Sequence, residues 1–265
     1  MIKDITLGQY YPTNSILHKL DPRVKLFGTF MYIVSLFFVD NIFGYAVAFL
    51  FLAAIIKLSK VPVSFMLRGL KAIAVIVILT AMINMFFTPG QVVYSLGRFN
   101  ITQEGIKYSI RMVIRLVFLV MGSSVMTLTT TPNNLTDGIE KSLSPLKKIK
   151  VPVHEIAMMM SIALSFIPIL MEELDKITKA QMARGADFES KKLTVRVKSL
   201  IPVLVPLFVS AFRRASDLAM AMEARCFRGG EGRTKMNPLI YRRRDKIAYL
   251  IIFIYLAIVI ACLIG

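Results

Sequence analysis

Two arginines in similar surroundings are the residues of this sequence best suited to bind a partner. Each follows a long segment with helical character that contains proline. They stand in the triplets Ala183-Arg184-Gly185 and Ala224-Arg225-Cys226. Carbonyl groups at a helix C-terminus favour a nearby cation, and glycine commonly ends a helix. A guanidinium placed there can form two parallel hydrogen bonds to a carboxylate, which lysine cannot do. The sequence therefore predicts two docking sites for acidic groups.

The spacing of proline and arginine supports this interpretation. Arg184 follows Pro168 by 16 residues, and Arg225 follows Pro202 by 23 residues. The difference, 23 − 16 = 7 residues, is about two helical turns, so each arginine has a similar facing relative to its proline. The small alanine before each arginine lets another surface approach closely. The alternative is an ordinary helix end in water, and the recurrence of the arrangement favours docking.

The sequence shows no pattern typical of an active site. It lacks a G-x-x-x-x-G-K-[ST] loop, and no Ser-His-Asp order or paired-carboxylate site stands out. The histidines and cysteines are isolated, at His18, His154, Cys226 and Cys262. We therefore expect no enzyme activity, no metal site, no disulfide framework and no cofactor bound by the chain itself.

Long apolar stretches must position the two arginine segments. The 265 residues are 56% hydrophobic, compared with roughly 45–50% in soluble domains, and the mean hydropathy is +0.65. About 20 apolar residues cross a bilayer. Five stretches are predicted to do so, at residues 24–39, 42–56, 69–87, 108–130 and 247–264. Asp40-Asn41 predicts a tight turn after the first stretch, and residues 91–104, around Gly97, predict a small exposed hairpin.

The positions of Lys and Arg predict the orientation. The chain has 33 of them against 16 Asp and Glu, a net charge of +17, and 21 lie between residues 132 and 246. The positive-inside rule places that region and the N-terminus in the cytoplasm and the C-terminus outside the cell membrane. The basic charge is thus explained without nucleic acid. The cluster Arg242-Arg243-Arg244 is interpreted as a topology anchor that contacts anionic lipid.

The predicted fold is an all-α membrane protein with about five transmembrane helices. Residues 1–131 would form an N-terminal membrane part with four of them, and residues 247–265 the last. Residues 132–246 would form a cytoplasmic module of two long kinked coupling helices and a shorter one. Its apolar stretches, 151–171 and 199–212, could pass for spans, but crossing would place seven cations of residues 172–198 outside. We therefore expect these helices at the inner membrane surface.

Several further residues attract attention. Charges within a span are costly, so Arg111 and Arg115 are functional candidates. We expect Arg111 to reach the outer headgroups and Arg115 to face protein or a polar cavity. The methionines at 158–160 form a core or an adaptable packing surface. The acids at 172, 173 and 175 are interpreted as a solvated helix face.

Five segments together carry a resemblance to a known family. They are Leu20-Asp21-Pro22-Arg23-Val24-Lys25, Leu128-Thr129-Thr130-Thr131-Pro132, the two arginine triplets, and Phe227-Arg228-Gly229-Gly230. With them, essentially the whole chain resembles the transmembrane T components of energy-coupling factor (ECF) transporters, which are vitamin and metal importers related to ABC transporters. Cys226 departs from the pattern, because glycine is common at that position.

The resemblance implies a set of partners. In that family the ends of two coupling helices dock into grooves on two ABC-type ATPase subunits, so Arg184 and Arg225 would be the docking arginines. The chain would also bind a small membrane subunit that captures the substrate. ATP would be bound by the partner subunits, and their closing would reorient the substrate-binding subunit for vitamin or metal-ion uptake.

Two alternatives come from other functional classes. A membrane-embedded lipid-modifying enzyme would use the acids at 172–175, but it needs a metal and a carboxylate spacing that the sequence lacks. A self-sufficient ABC permease would bind its substrate directly and form a homodimer. This sequence does not identify the transported substrate, because in the family that it resembles a separate subunit binds and selects the substrate.

Overall fold

The computed structural model describes residues 10–96, 99–188, 192–229 and 238–264, and most of these are helical. The elements in chain order are α1 Pro22–Phe38, α2 Ile42–Ser59, α3 Val63–Phe87, β1 Val92–Leu96, β2 Phe99–Thr102, α4 Gln103–Thr129, α5 Pro132–Ser142, a 3₁₀ helix Ser144–Ile149, α6 Val153–Ala183, α7 Leu193–Ala224 and α8 Arg243–Ile264. The all-α membrane fold is confirmed. The predicted hairpin is also confirmed, as antiparallel β1 and β2; Gly97 lies outside the described residues.

The chain divides into two compact units. The first holds the described residues of 8–142 and 239–265, and the second those of 143–238. The short helix α5, which the sequence grouped with the cytoplasmic module, packs on α1 in the first unit. A Cβ at Gly138 of α5 would lie 2.8 Å from Cβ of Pro22, so glycine permits this close approach. The role of each part of the chain stays a prediction.

Local signals explain where the helices of the first unit begin and end. Asp21 caps α1, because its carboxylate accepts a hydrogen bond from the Arg23 backbone N–H at 2.9 Å, and Pro22 suits the first helical position. The hydroxyl of Thr102 caps α4 in the same way by accepting from Gly105 N–H at 3.0 Å. α1 ends at Phe38 and α2 begins at Ile42, which confirms the predicted turn at Asp40-Asn41.

The core of the first unit lies among α1, α2, α4 and α8. It is formed by the buried residues Tyr32, Leu36, Val39, Tyr45, Ala48, Leu52, Tyr255 and Val259. Phe51 stacks on Tyr255 with ring centroids 4.1 Å apart, and Ser35 shares a 2.8 Å hydrogen bond with the Tyr255 hydroxyl. A Cβ at Gly122 would lie 2.5 Å from the Tyr32 ring, so glycine lets α4 approach α1.

Six helices in the described part are long and apolar enough to cross a membrane. They are α2, α3, α4, α6, residues Val197–Ala224 of α7, and residues Arg243–Leu263 of α8. The count is close to the five predicted, but its members differ. α1, with 17 residues, is at the lower limit of the length that spans the hydrocarbon core, whereas α6 and α7 qualify by length and composition. The location of α6 and α7 on the cytoplasmic side stays a prediction.

Candidate functional site

The end of α6 is a complete Schellman motif with Arg184 at the C-cap. The N–H of Gly185 donates to Met182 O at 3.0 Å, and the N–H of Ala186 donates to Gln181 O at 3.0 Å. This pair of bonds defines the motif and requires a left-handed residue after the C-cap. Gly185 takes that conformation with φ +88°, and a Cβ there would meet nothing within 4 Å. Glycine is therefore favoured by the backbone angle and not by crowding.

The end of α7 repeats the motif residue for residue. The N–H of Cys226 donates to Glu223 O at 2.8 Å, and the N–H of Phe227 donates to Met222 O at 3.0 Å. Arg225 is the C-cap, as Arg184 is in α6. Cys226 occupies the left-handed position with φ +55°. Residues other than glycine adopt this backbone conformation at a cost of about 1 kcal/mol or more. The two triplets matched in the sequence thus have the same backbone arrangement.

Both ends present an exposed cation. The six residues predicted to form the docking site, Ala183, Arg184, Gly185, Ala224, Arg225 and Cys226, are all exposed. Among the residues that the structure describes, neither guanidinium forms an ion pair with this chain. The small neighbouring alanines leave the guanidinium groups accessible to a flat or concave surface. Such an end can donate paired hydrogen bonds to a carboxylate of another protein.

α6 and α7 pack against each other in an antiparallel arrangement. The Arg214 guanidinium pairs with the Glu173 carboxylate at 2.8 Å, and the Gln181 side-chain amide donates to Pro202 O at 3.3 Å. Residue numbers rise along one helix as they fall along the other, so the two arginine ends point in opposite directions. Because Glu173 pairs with Arg214, its carboxylate does not belong to the solvated helix face that the sequence predicted. Arg214 was not singled out by sequence reasoning, because its partner lies 41 residues away.

Two of the segments that carry the family resemblance meet in the first unit. The Lys25 ammonium donates to Thr129 O at 2.8 Å and to the Thr130 hydroxyl at 3.3 Å. These acceptors lie at the C-terminus of α4, where a cation is favoured by the helix dipole. The backbone N–H of Tyr11 also donates to Leu128 O at 2.9 Å. The first turn of α1 and the segment before it are thus hydrogen-bonded to the C-terminal end of α4.

One buried carboxylate, which sequence reasoning missed, joins the beginnings of α1 and α8. Asp245 is 2% exposed; its Oδ1 accepts from the Asp21 N–H at 2.9 Å and its Oδ2 from the Arg242 N–H at 2.7 Å. Asp21 in turn pairs with the Arg23 guanidinium at 2.7 Å, and Arg23 stacks on the Tyr241 ring. Burial would raise the pKa of the Asp21 carboxyl, but the hydrogen bonds and charge of Arg23 outweigh burial and lower that pKa.

The structure also locates the other residues that the sequence singled out. Arg115 donates to Val39 O at 3.0 Å and pairs with Asp40 at 3.3 Å, which confirms that it faces protein. Arg111 lies over the Tyr108 ring, and its contact with headgroups stays a prediction. In the last family segment, Gly230 lies outside the described residues. Within the described ranges no group of three or more His, Cys, Asp or Glu side chains could hold a metal ion.

These observations define a multi-pass helical membrane protein whose second unit presents two matched cationic helix ends. The profile of the family described as CbiQ, cobalt transport protein, matches residues 13–236. The chain is 54% identical to the energy-coupling factor transporter transmembrane protein EcfT of Ruminiclostridium cellulolyticum, over 98% of this chain and 97% of the relative. It is 48% identical to the EcfT of Bacillus subtilis, over 92% and 93%. The chain therefore belongs to the EcfT/CbiQ family of transmembrane T components of ECF transporters.

Proposed function

We propose that this chain couples two ATP-binding subunits to a substrate-binding membrane subunit in an ECF importer. Arg184 and Arg225 each dock onto one ATPase. The observation that carries the proposal is the repetition of one helix end on α6 and α7, with an exposed C-cap arginine in each. The ends point in opposite directions along an antiparallel pair, which supports contact with two separate binding partners.

The proposed orientation places the arginine ends in the cytoplasm, where ATP is available. The N-terminus is cytoplasmic and the C-terminus is extracytoplasmic. Of the 33 Lys and Arg, 21 lie between residues 132 and 246, and the positive-inside rule favours the cytoplasm for such a segment. On ATP binding the ATPases close and move the two ends. The resulting tilt of α6 and α7 reorients the substrate-binding subunit, and a vitamin or a metal ion is released inward.

Co-purification of the full chain with both ATPases tests the docking. Reversing both charges in R184E/R225E places carboxylates against the acidic groups that we expect in the ATPase grooves. The affinity for each ATPase is expected to fall about 30-fold or more, the usual loss when a desolvated charge pair is broken. Each single variant is expected to lose one of the two ATPases and retain the other.

The matched control is K176E/R213E. It reverses the same number of charges on the same two helices, at exposed positions 8 and 12 residues before the arginine ends (184 − 176 and 225 − 213). It is expected to bind both ATPases as the wild type does. If R184E/R225E also retains both, the docking assignment is wrong. The cargo is tested separately, by uptake of a panel of vitamins and of Co²⁺ into cells with and without the chain.

A further inference from the structure

The ion pair between α6 and α7 lies at the same distance from both arginine ends. Glu173 precedes Arg184 by 184 − 173 = 11 residues, and Arg214 precedes Arg225 by 225 − 214 = 11 residues. At 1.5 Å per residue, each arm of helix from the ion pair to its arginine is about 16 Å long. Because the helices are antiparallel, the two arms extend from the ion pair in opposite directions.

The environment of this pair distinguishes it from its neighbours in sequence. Glu173 and Arg214 are half-buried, with side chains 29% and 40% exposed, whereas Glu172 and Arg213 are exposed. The Nε atom of Arg214 is itself buried and makes no hydrogen bond with the described part of the chain. The carboxylate and the guanidinium thus meet where the two helices touch.

A second contact between α6 and α7 restrains the rotation of one helix against the other. Pro206 has no N–H, so the carbonyl of Pro202, four residues earlier, has no donor from its own helix. The Gln181 side chain supplies that donor at 3.3 Å. Gln181 lies on the α6 arm, between the ion pair and Arg184. Two polar contacts at different points along α6 limit rotation of α7 against it more than one contact does.

We propose that Glu173 and Arg214 form the pivot of a two-armed coupling device, so that displacement of one arginine end displaces the other. This inference rests on the proposed docking function and adds positioning residues to it. Because the two arms are equal in length, rotation about a rigid crossing displaces both arginine ends by the same distance. Loss of the ion pair leaves each end able to dock but makes the motion of one end independent of the other.

The distance between the arms tests the pivot directly. Spin labels on noncanonical residues at positions 179 and 220, each five residues before its arginine (184 − 179 and 225 − 220) and exposed, leave the native cysteines in place. The complex with both ATPases is measured with and without ATP. Wild type is expected to show one narrow distance that shifts with ATP. E173R and R214E are expected to show broad distributions, and the swapped pair E173R/R214E a narrow one.

ATP hydrolysis by the assembled complex provides the second readout. Each single reversal is expected to lower the rate about fivefold, because it removes an interaction free energy of the size usual for residues in contact. The swap is expected to restore the rate to within about twofold of wild type. The exposed neighbours supply the controls, since E172R and R213E are expected to match wild type in both readouts. If a reversed variant does not assemble, E173Q, which keeps the size of the side chain, is expected to broaden the distance distribution instead.

The outcomes separate the two proposals. If both ATPases co-purify with E173R as they do with wild type, but its distance distribution and hydrolysis rate equal those of E172R, the pivot is wrong and the docking stands. A swapped pair that stays as broad and slow as the single variants also overturns the pivot. If R184E/R225E retains both ATPases, the docking fails, whatever the ion pair does.

Discussion

Replacement of Asp245 by alanine is expected to destabilise the first unit strongly, because one carboxylate serves two helices. Its two oxygens accept the backbone N–H groups of Asp21 and Arg242 at 2.9 and 2.7 Å, the N-cap residues of α1 and α8. Leaving a buried donor without an acceptor costs about 1–3 kcal/mol. With two donors affected, the free energy of unfolding is expected to fall by about 2–6 kcal/mol. For a chain of this size, a loss in that range lowers the thermal midpoint by at least about 4 °C.

The assay is thermal unfolding of the purified full chain in detergent, followed by fluorescence-detected size exclusion. Asp217→Ala on the exposed side of α7 is the matched control, expected to change the free energy of unfolding by less than about 0.5 kcal/mol. Asp245→Asn, which keeps one oxygen acceptor, is expected to fall between the two. A midpoint for Asp245→Ala within about 1 °C of that for Asp217→Ala, which corresponds to a loss of less than about 0.5 kcal/mol, would refute the shared-cap reasoning.

Two further predictions concern the arginine ends and the acid limit of stability. Cys226→Gly is expected to relieve the left-handed strain at φ +55° and to slow hydrogen exchange at the Phe227 amide about fivefold relative to wild type. Gly185→Ala is expected to introduce the same strain and to speed exchange at the Ala186 amide. Exchange rates at both amides that equal those of wild type would contradict this reasoning. Asp21 has a pKa lowered from 3.8, so its stabilising effect is present above pH 3.8 and is lost as the pH falls through the lowered pKa. The difference in thermal midpoint between wild type and Asp21→Asn should therefore shrink on acidification, and a difference that grows would refute the pairing with Arg23.

Features encoded by neighbouring residues could be predicted from the sequence. The turn at Asp40-Asn41 and the hairpin at 91–104 follow from breaks in apolar runs, and both are present. The equivalence of the two arginine triplets also follows from local pattern, because a Schellman motif uses hydrogen bonds among only six consecutive residues. The sequence also showed that Cys226 stands at a position where glycine is common in the family.

Contacts between distant residues could not be predicted in the same way. Asp245 and Asp21 are 224 residues apart, Lys25 and Thr129 are 104 apart, and Glu173 and Arg214 are 41 apart. Asp245 stands in a basic stretch and Glu173 in an acidic run. The sequence around each of them is the same whether its carboxylate contacts water or another helix. Only the packing of the helices decides which charges meet. The sequence feature that could have drawn attention to Asp245 is its position as a single acid directly after Arg242-Arg243-Arg244.

The most direct test of the docking claim is a structure of this chain assembled with its two ATP-binding subunits. We expect the Arg184 guanidinium to lie about 2.7–2.9 Å from a carboxylate of one subunit, and the Arg225 guanidinium at the same distance from a carboxylate of the other. Both contacts should lie on the cytoplasmic side of the membrane. Arginine ends that face the extracellular side, or that touch neither ATP-binding subunit, would contradict the account.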